Sequence, residues 1–281
     1  MPSPGPYRGR IAPSPTGYLH LGHARTFWIA QERARAAGGS VLLRIDDLDR
    51  ARCRPEFVEA CLEDLAWFGF KWEGPPIFES ARLDRYFEAF EKLRQSKRAY
   101  PCFCSRRDVM LALNAPHAGE DEPVYPGTCR DRAFDREELA EKQVSWRFRV
   151  EDGRPVSFHD GRSGLNSFIA GKDFGDFVVW RHDGLPSYQL AVVVDDADMG
   201  ITEVVRGEDL LRSTARQLLL YEAFGFPPPA FYHCELMLDS SGRRLAKRYD
   251  ALSLRQLRAM GKSPEEIRAE WFSQGASPAT L

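Results

Sequence analysis

Long apolar runs are absent from this chain of 281 residues, and none reaches the roughly 20 that a membrane-spanning helix needs, so no membrane partner is expected. A surplus of one charge sign is absent too. Lysine and arginine number 39 against 41 aspartates and glutamates, a net charge of −2. That excludes a polycation coating nucleic acid by bulk charge, while leaving room for a local basic face. Lysine itself is scarce: the chain has seven, Lys71, Lys92, Lys97, Lys142, Lys172, Lys247 and Lys262, so a lysine in a loop is an uncommon choice. Met1 to Arg10 carry proline and glycine where a secretory signal carries its apolar core. Six cysteines in a chain this long do not read as a disulfide framework, and the expected compartment is the cytoplasm.

What is present is a globular composition, 43% hydrophobic and 28% charged, with length for one or two domains around a real core. Residues 9–13 read as a short strand entering a turn built by Pro13, Pro15 and Gly17. Leu21, Ala24, Phe27, Trp28, Ala30 and Ala34 recur at helical spacing up to Gly38-Gly39. Val41 to Ile45 is a buried-strand candidate that ends in Asp46, Asp47 and Asp49. Strand, helix and strand in this order predict the βαβ unit of a doubly wound α/β sheet. Helices are expected from Pro55 and from Leu83, and strands at 144–150, 174–180, 190–194 and 231–238. Arg206 to Asp209 are expected to open a helix, and a short helical region is expected to close the chain. The expected divisions are 1–100, first half of the catalytic domain; 101–175, an insertion; 176–236, its second half; and 237–281, a polar loop and helical tail.

Three constellations carry chemistry. His20-Leu21-Gly22-His23 falls where a strand gives way to a helix, whose free N–H groups and partial positive charge suit phosphate. Two imidazoles there can donate hydrogen bonds as charge develops, although histidines that merely cap a helix fit the same string. Arg244-Leu245-Ala246-Lys247-Arg248 lies in a polar loop and suits clamping a leaving pyrophosphate; a solvated basic loop looks the same in isolation. Cys102, Cys104 and Cys129 sit in a segment too polar to bury three thiols and read as zinc ligands, with Tyr125 or His117 as the fourth. Cys53, Cys61 and Cys234 read as core.

Taken together these strings resemble one family. Arg10-Ile-Ala-Pro-Ser-Pro-Thr-Gly-Tyr-Leu-His-Leu-Gly-His23 closely resembles the opening block of the glutamyl class I aminoacyl-tRNA synthetases, with its HIGH motif. Leu43-Arg-Ile-Asp-Asp-Leu-Asp-Arg50 resembles the next block, and Arg244 to Arg248 fall where the KMSKS motif does. The length and the Cys-x-Cys…Tyr-x-x-x-Cys pattern are similar to the branch that attaches glutamate to queuosine in the anticodon loop of tRNA(Asp).

The resemblance implies a Rossmann-type doubly wound parallel sheet with a zinc-bearing insertion. It implies one structural Zn2+ on Cys102, Cys104, Tyr125 and Cys129, and Mg2+ accompanying ATP. L-glutamate is to be activated without tRNA, then passed to queuosine-containing tRNA(Asp) by a monomer. His20, His23 and Lys247 carry the catalytic roles, with Gly22 joining them at ATP. Arg10, Ile11, Ala12, Pro13, Ser14, Asp46, Tyr188 and Arg206 form the glutamate site. The family's usual residue at position 46 is glutamate; Asp46 withdraws the carboxylate by about 1.5 Å. Ala246 replaces a usual serine. A truncated synthetase charging the 3′ end of tRNA(Glu) and a non-catalytic tRNA-binding module are the alternatives.

Overall fold

The computed structural model describes residues 6–105, 107–109, 124–135, 137, 144–237 and 253–273. Strand β1 (Arg8–Ile11) is parallel to β2 (Ser40–Ile45), with Arg8 opposite Ser40 and Ile11 opposite Leu43. Between them runs α1 (Leu21–Ala36), which buries Ala24, Phe27, Ile29, Ala30 and Ala34 against the sheet. Gly39 makes the return: a Cβ there would lie 2.2 Å from the Tyr7 carbonyl oxygen. The βαβ unit expected from the sequence is therefore present.

A second parallel unit follows later in the chain. β9 (Glu203–Gly207), α5 (Leu211–Phe224) and β10 (Ala230–Cys234) repeat the pattern, with Arg206 opposite His233. The two units meet where the Thr202 N–H donates to the Arg8 carbonyl at 2.9 Å. β10 continues to β6 (Pro155–Asp160), which forms an antiparallel hairpin with β7 (Gly164–Ile169). β4 (Ala99–Cys102), β5 (Ser145–Phe148) and β8 (Phe177–Trp180) form a separate antiparallel sheet. The short β3 (Ile77–Phe78) extends the first sheet beside β2.

Two hydrophobic cores flank this frame. One is filled by α3 (Leu83–Gln95), α5 and the strands from β5 to β8. The other gathers β1, β2, α1 and α2 (Pro55–Phe68) with Leu254, Leu257, Ile267 and Trp271 of the closing helices. Ser253 forms an antiparallel bridge to His20, so the chain beyond the polar loop is fastened to the start of α1.

The run 190–194, expected as a strand, is a helix, α4 (Tyr188–Asp198). Leu190, Ala191, Val192, Val193 and Val194 are all buried, and a run buried on every side has no periodicity to separate the two structures. The Ser187 side chain decides the start by accepting the Leu190 N–H. Arg206 and Gly207, expected to open a helix, end β9 instead.

The helical geometry carries Asp195 and Asp196 inward to a buried charge cluster. Arg44, fully buried on β2, donates from Nε to Asp46 at 2.7 Å and from Nη1 to Asp196 at 2.8 Å. Asp196 also takes Arg10 Nε at 3.3 Å, and Asp195 takes Arg82 Nε at 2.7 Å and the Tyr86 hydroxyl at 2.8 Å. Burial, with Asp46 beside it, pushes the Glu79 carboxyl up to about 9, against the pull of Arg44 at 3.8 Å. Removing one partner of such a cluster strands the rest. Arg44→Met is expected to cost about 3–5 kcal/mol, read as a lowered denaturant midpoint; an unchanged midpoint would mean that the cluster is not what holds β2 to α4.

Candidate active site

A cavity of about 490 Å³ opens at the C-terminal ends of β1, β2 and β9, where open α/β sheets bind ligands. Ten residues singled out from the sequence line it: Arg10, Ala12, Pro13, Ser14, His20, Gly22, His23, Asp46, Tyr188 and Arg206. Ile11 is different, for its side chain is fully buried in the core. Lys247, Arg244, Ala246 and Arg248 lie outside the described residues, as does His117.

His20 occupies the N-cap position of α1, yet its side chain makes no capping bond, and its buried Nδ1 has no partner among the described residues. Capping is therefore not what the ring does. It lies against the His23 ring with centroids 3.7 Å apart. A Cβ on Gly22 would stand 3.3 Å from the His20 ring, so glycine lets the ring settle over the helix start. The first turn of α1 has no acidic side chain, which leaves its positive end open to an anion. Desolvation lowers His20, and desolvation together with the adjoining His20 ring lowers His23, whose surface is open to solvent at the cavity. Near neutral pH they are uncharged hydrogen-bonding groups.

The opposite wall is cationic. Arg206 is 5% exposed and donates to His233 Nε2 at 3.2 Å, the Tyr188 hydroxyl at 3.4 Å and Thr214 Oγ1 at 2.7 Å. None of these partners is an anion. Burial accordingly lowers its pKa. Arg10, in contrast, has Asp196, and its Nη1 donates to the Val205 carbonyl at 3.1 Å. Asp46 is held by Arg44 from the side, and its N–H donates to the Pro13 carbonyl at 2.9 Å, tying the ends of β1 and β2 together. Reading the sequence missed Arg44, Asp196, Thr214, His233 and Asp160. The first lay inside a matched block; the others carried no local signal.

A second cluster lies at the end of β4. The sulfurs of Cys102, Cys104 and Cys129 lie within 4.8 Å of one another. Cys104 and Cys129 are 3.7 Å apart, and the Tyr125 hydroxyl is 3.3 Å from Cys102 and 3.5 Å from Cys104. Tetrahedral zinc with ordinary bond lengths separates two sulfurs by about 3.8 Å, and sulfur from oxygen by about 3.5 Å. The donor set fits such an ion. Arg147 Nε lies 3.3 Å from Cys102 Sγ, and its guanidinium stacks on Tyr125 at 3.9 Å.

The family model for the catalytic domain of class I tRNA synthetases (E and Q) matches residues 7–281. A glutamyl-Q tRNA(Asp) synthetase of Symbiobacterium thermophilum is 48% identical over 92% of this chain and 83% of its own length. The chain belongs to this family. Another glutamyl-Q tRNA(Asp) synthetase, from Rhodobacter capsulatus, is 43% identical over 92% of the chain and 97% of that relative. A solved glutamate tRNA ligase from Elizabethkingia meningosepticum superposes with a TM-score of 0.75 at 32% identity, covering 92% of the chain. The chain spans about half of that ligase, 53% of its length. The fold is thus the catalytic-domain fold of class I synthetases. Among the described residues no helix is long and apolar enough to cross a membrane.

Proposed function

We propose that the cavity joins L-glutamate to ATP, carried as its magnesium complex, and then passes the glutamate to queuosine in the anticodon loop of tRNA(Asp). The observation that carries this reading is Arg206. A guanidinium 5% exposed, with only neutral hydrogen-bond partners among the described residues, faces a cavity whose other described arginines, Arg10 and Arg44, already have carboxylates. Desolvating a lone cation costs several kcal/mol, so such a site is built for an anionic ligand. A substrate carboxylate meets that need, and Asp46 offers a counter-charge for its ammonium. Arg10 and the backbone of 11–14 complete the amino-acid site.

In the first step a carboxylate oxygen of glutamate attacks the α-phosphorus of ATP. The bond from that phosphorus to the bridging oxygen of pyrophosphate breaks. His20 and His23, with the open end of α1, donate to the phosphoryl oxygens, and Lys247 meets the departing pyrophosphate. Positioning and preformed dipoles supply the acceleration. In the second step a hydroxyl of the queuosine cyclopentenediol attacks the activated carbonyl; AMP leaves, and the hydroxyl proton is lost. That diol has the shape of a terminal ribose, so a cavity made for a tRNA end accepts an anticodon loop. The protein works as a cytoplasmic monomer in this reading.

Glutamate-dependent ATP–pyrophosphate exchange is expected without tRNA. Queuosine-containing tRNA(Asp) whose terminal adenosine lacks both ribose hydroxyls should still accept glutamate, and an unmodified transcript should not. Glutamate on the 3′ end of tRNA(Glu), independent of queuosine, would replace this reading with that of a truncated synthetase.

Cys102, Cys104, Tyr125 and Cys129 would hold one zinc ion as a structural staple of a segment poor in apolar residues. Three thiolates and a phenol leave no position for water, so the ion takes no part in the reaction. Metal analysis should find one zinc per chain, with chelation lowering the melting temperature. Zinc retained in Tyr125→Phe but lost in His117→Ala would reassign the fourth ligand.

A further inference from the structure

His233 faces Arg206 across β9 and β10, where the two are register partners. His233 and Asp160 are fully buried. Asp160 sets the proton on the ring. Its Oδ1 accepts the N–H groups of Arg162 at 3.0 Å and Ser163 at 2.9 Å, and the Ser163 hydroxyl at 3.1 Å. Its Oδ2 accepts the His233 N–H at 3.0 Å and lies 2.7 Å from His233 Nδ1. Burial alone would raise this carboxyl, but the donors around it hold it below the usual range. An ionised carboxylate can only accept, so Nδ1 carries the proton. In a neutral imidazole Nε2 then keeps its lone pair, which faces Arg206 Nε–H at 3.2 Å and the Thr214 hydroxyl at 3.0 Å.

We infer that Asp160 and His233 are positioning residues that aim the Arg206 guanidinium at the substrate carboxylate by fixing the imidazole as its Nδ1–H tautomer. This rests on the glutamate reading of the cavity. Of the five N–H groups of a guanidinium, His233, Thr214 and Tyr188 occupy three and set its plane, which leaves two for a carboxylate. Burial and the Arg206 charge push His233 down to about 4, with Asp160 opposing and Arg10 adding to the effect, so the ring remains neutral in ordinary assay buffers. The inverted tautomer would set an N–H against the Nε–H of Arg206 and leave that one donor without its acceptor, with Tyr188 and Thr214 still holding the other two nitrogens. Sequence gave no hint of this, because Asp160 and His233 are 73 residues apart.

The test is pyrophosphate exchange at varied glutamate and at varied ATP, together with 15N spectra of the histidine rings. Asp160→Asn presents an amide N–H to Nδ1 and inverts the tautomer. Its KM for glutamate is expected to rise about tenfold, with the KM for ATP within about twofold of wild type. His233→Leu should behave alike, whereas His233→Gln, which keeps an acceptor toward Arg206, should recover most of the glutamate affinity. In wild type the His233 proton should sit on Nδ1, and in Asp160→Asn on Nε2. An Nε2 proton in wild type overturns the inference even if the variants fail to fold. So does an unchanged glutamate KM in folded Asp160→Asn and His233→Leu. If wild type shows no glutamate-dependent exchange, the glutamate reading fails; the spectrum still tests the tautomer by itself.

Discussion

Arg44 is fully buried, and everything around the cavity is arranged to make that tolerable. A cation in the interior must meet anions at hydrogen-bonding distance, and here they come from Asp46, just past the end of β2, and from α4. Asp46 and Asp196 thereby become fixed points. The first lies at the cavity and the second holds Arg10, another cavity residue. One buried charge thus correlates the positions of an anionic and a cationic wall that belong to different strands. Burial raises the Glu79 carboxyl, 3.8 Å from Arg44, which favours its neutral form within the cluster.

A division of labour among the arginines follows. Arg10 and Arg44 are neutralised inside the protein, whereas Arg206 is held by a histidine, a threonine and a tyrosine. The first two spend their charge on architecture. Arg206 pairs with no carboxylate among the described residues, which leaves a buried cation that its neutral partners only partly solvate. Such local frustration is common at functional sites and is sustained by a surrounding frame that over-determines it.

Much of this frame was legible in the sequence because it is local. The first βαβ unit announces itself through apolar spacing and the Gly38-Gly39 stop, and the block from Arg10 to His23 lies along one continuous stretch. Leu190 to Val194 misled for the opposite reason: a segment buried on all sides presents no polar face from which a period can be read. The Ser187 cap was the available sign of a helix. His233 and Asp160 look like ordinary strand residues, and only the pairing of β10 with β6 and β9 brings them to Arg206. The buried arginine at position 44 was equally silent, since sequence shows charge but not depth.

Arg147 touches the three-cysteine cluster from one side, through a sulfur and through the face of Tyr125. Were all three sulfurs thiolates, the guanidinium would offset one of their negative charges and a divalent ion the other two. The arginine therefore lowers the cost of burying a fully deprotonated cysteine trio, a cost that neutral thiols do not incur.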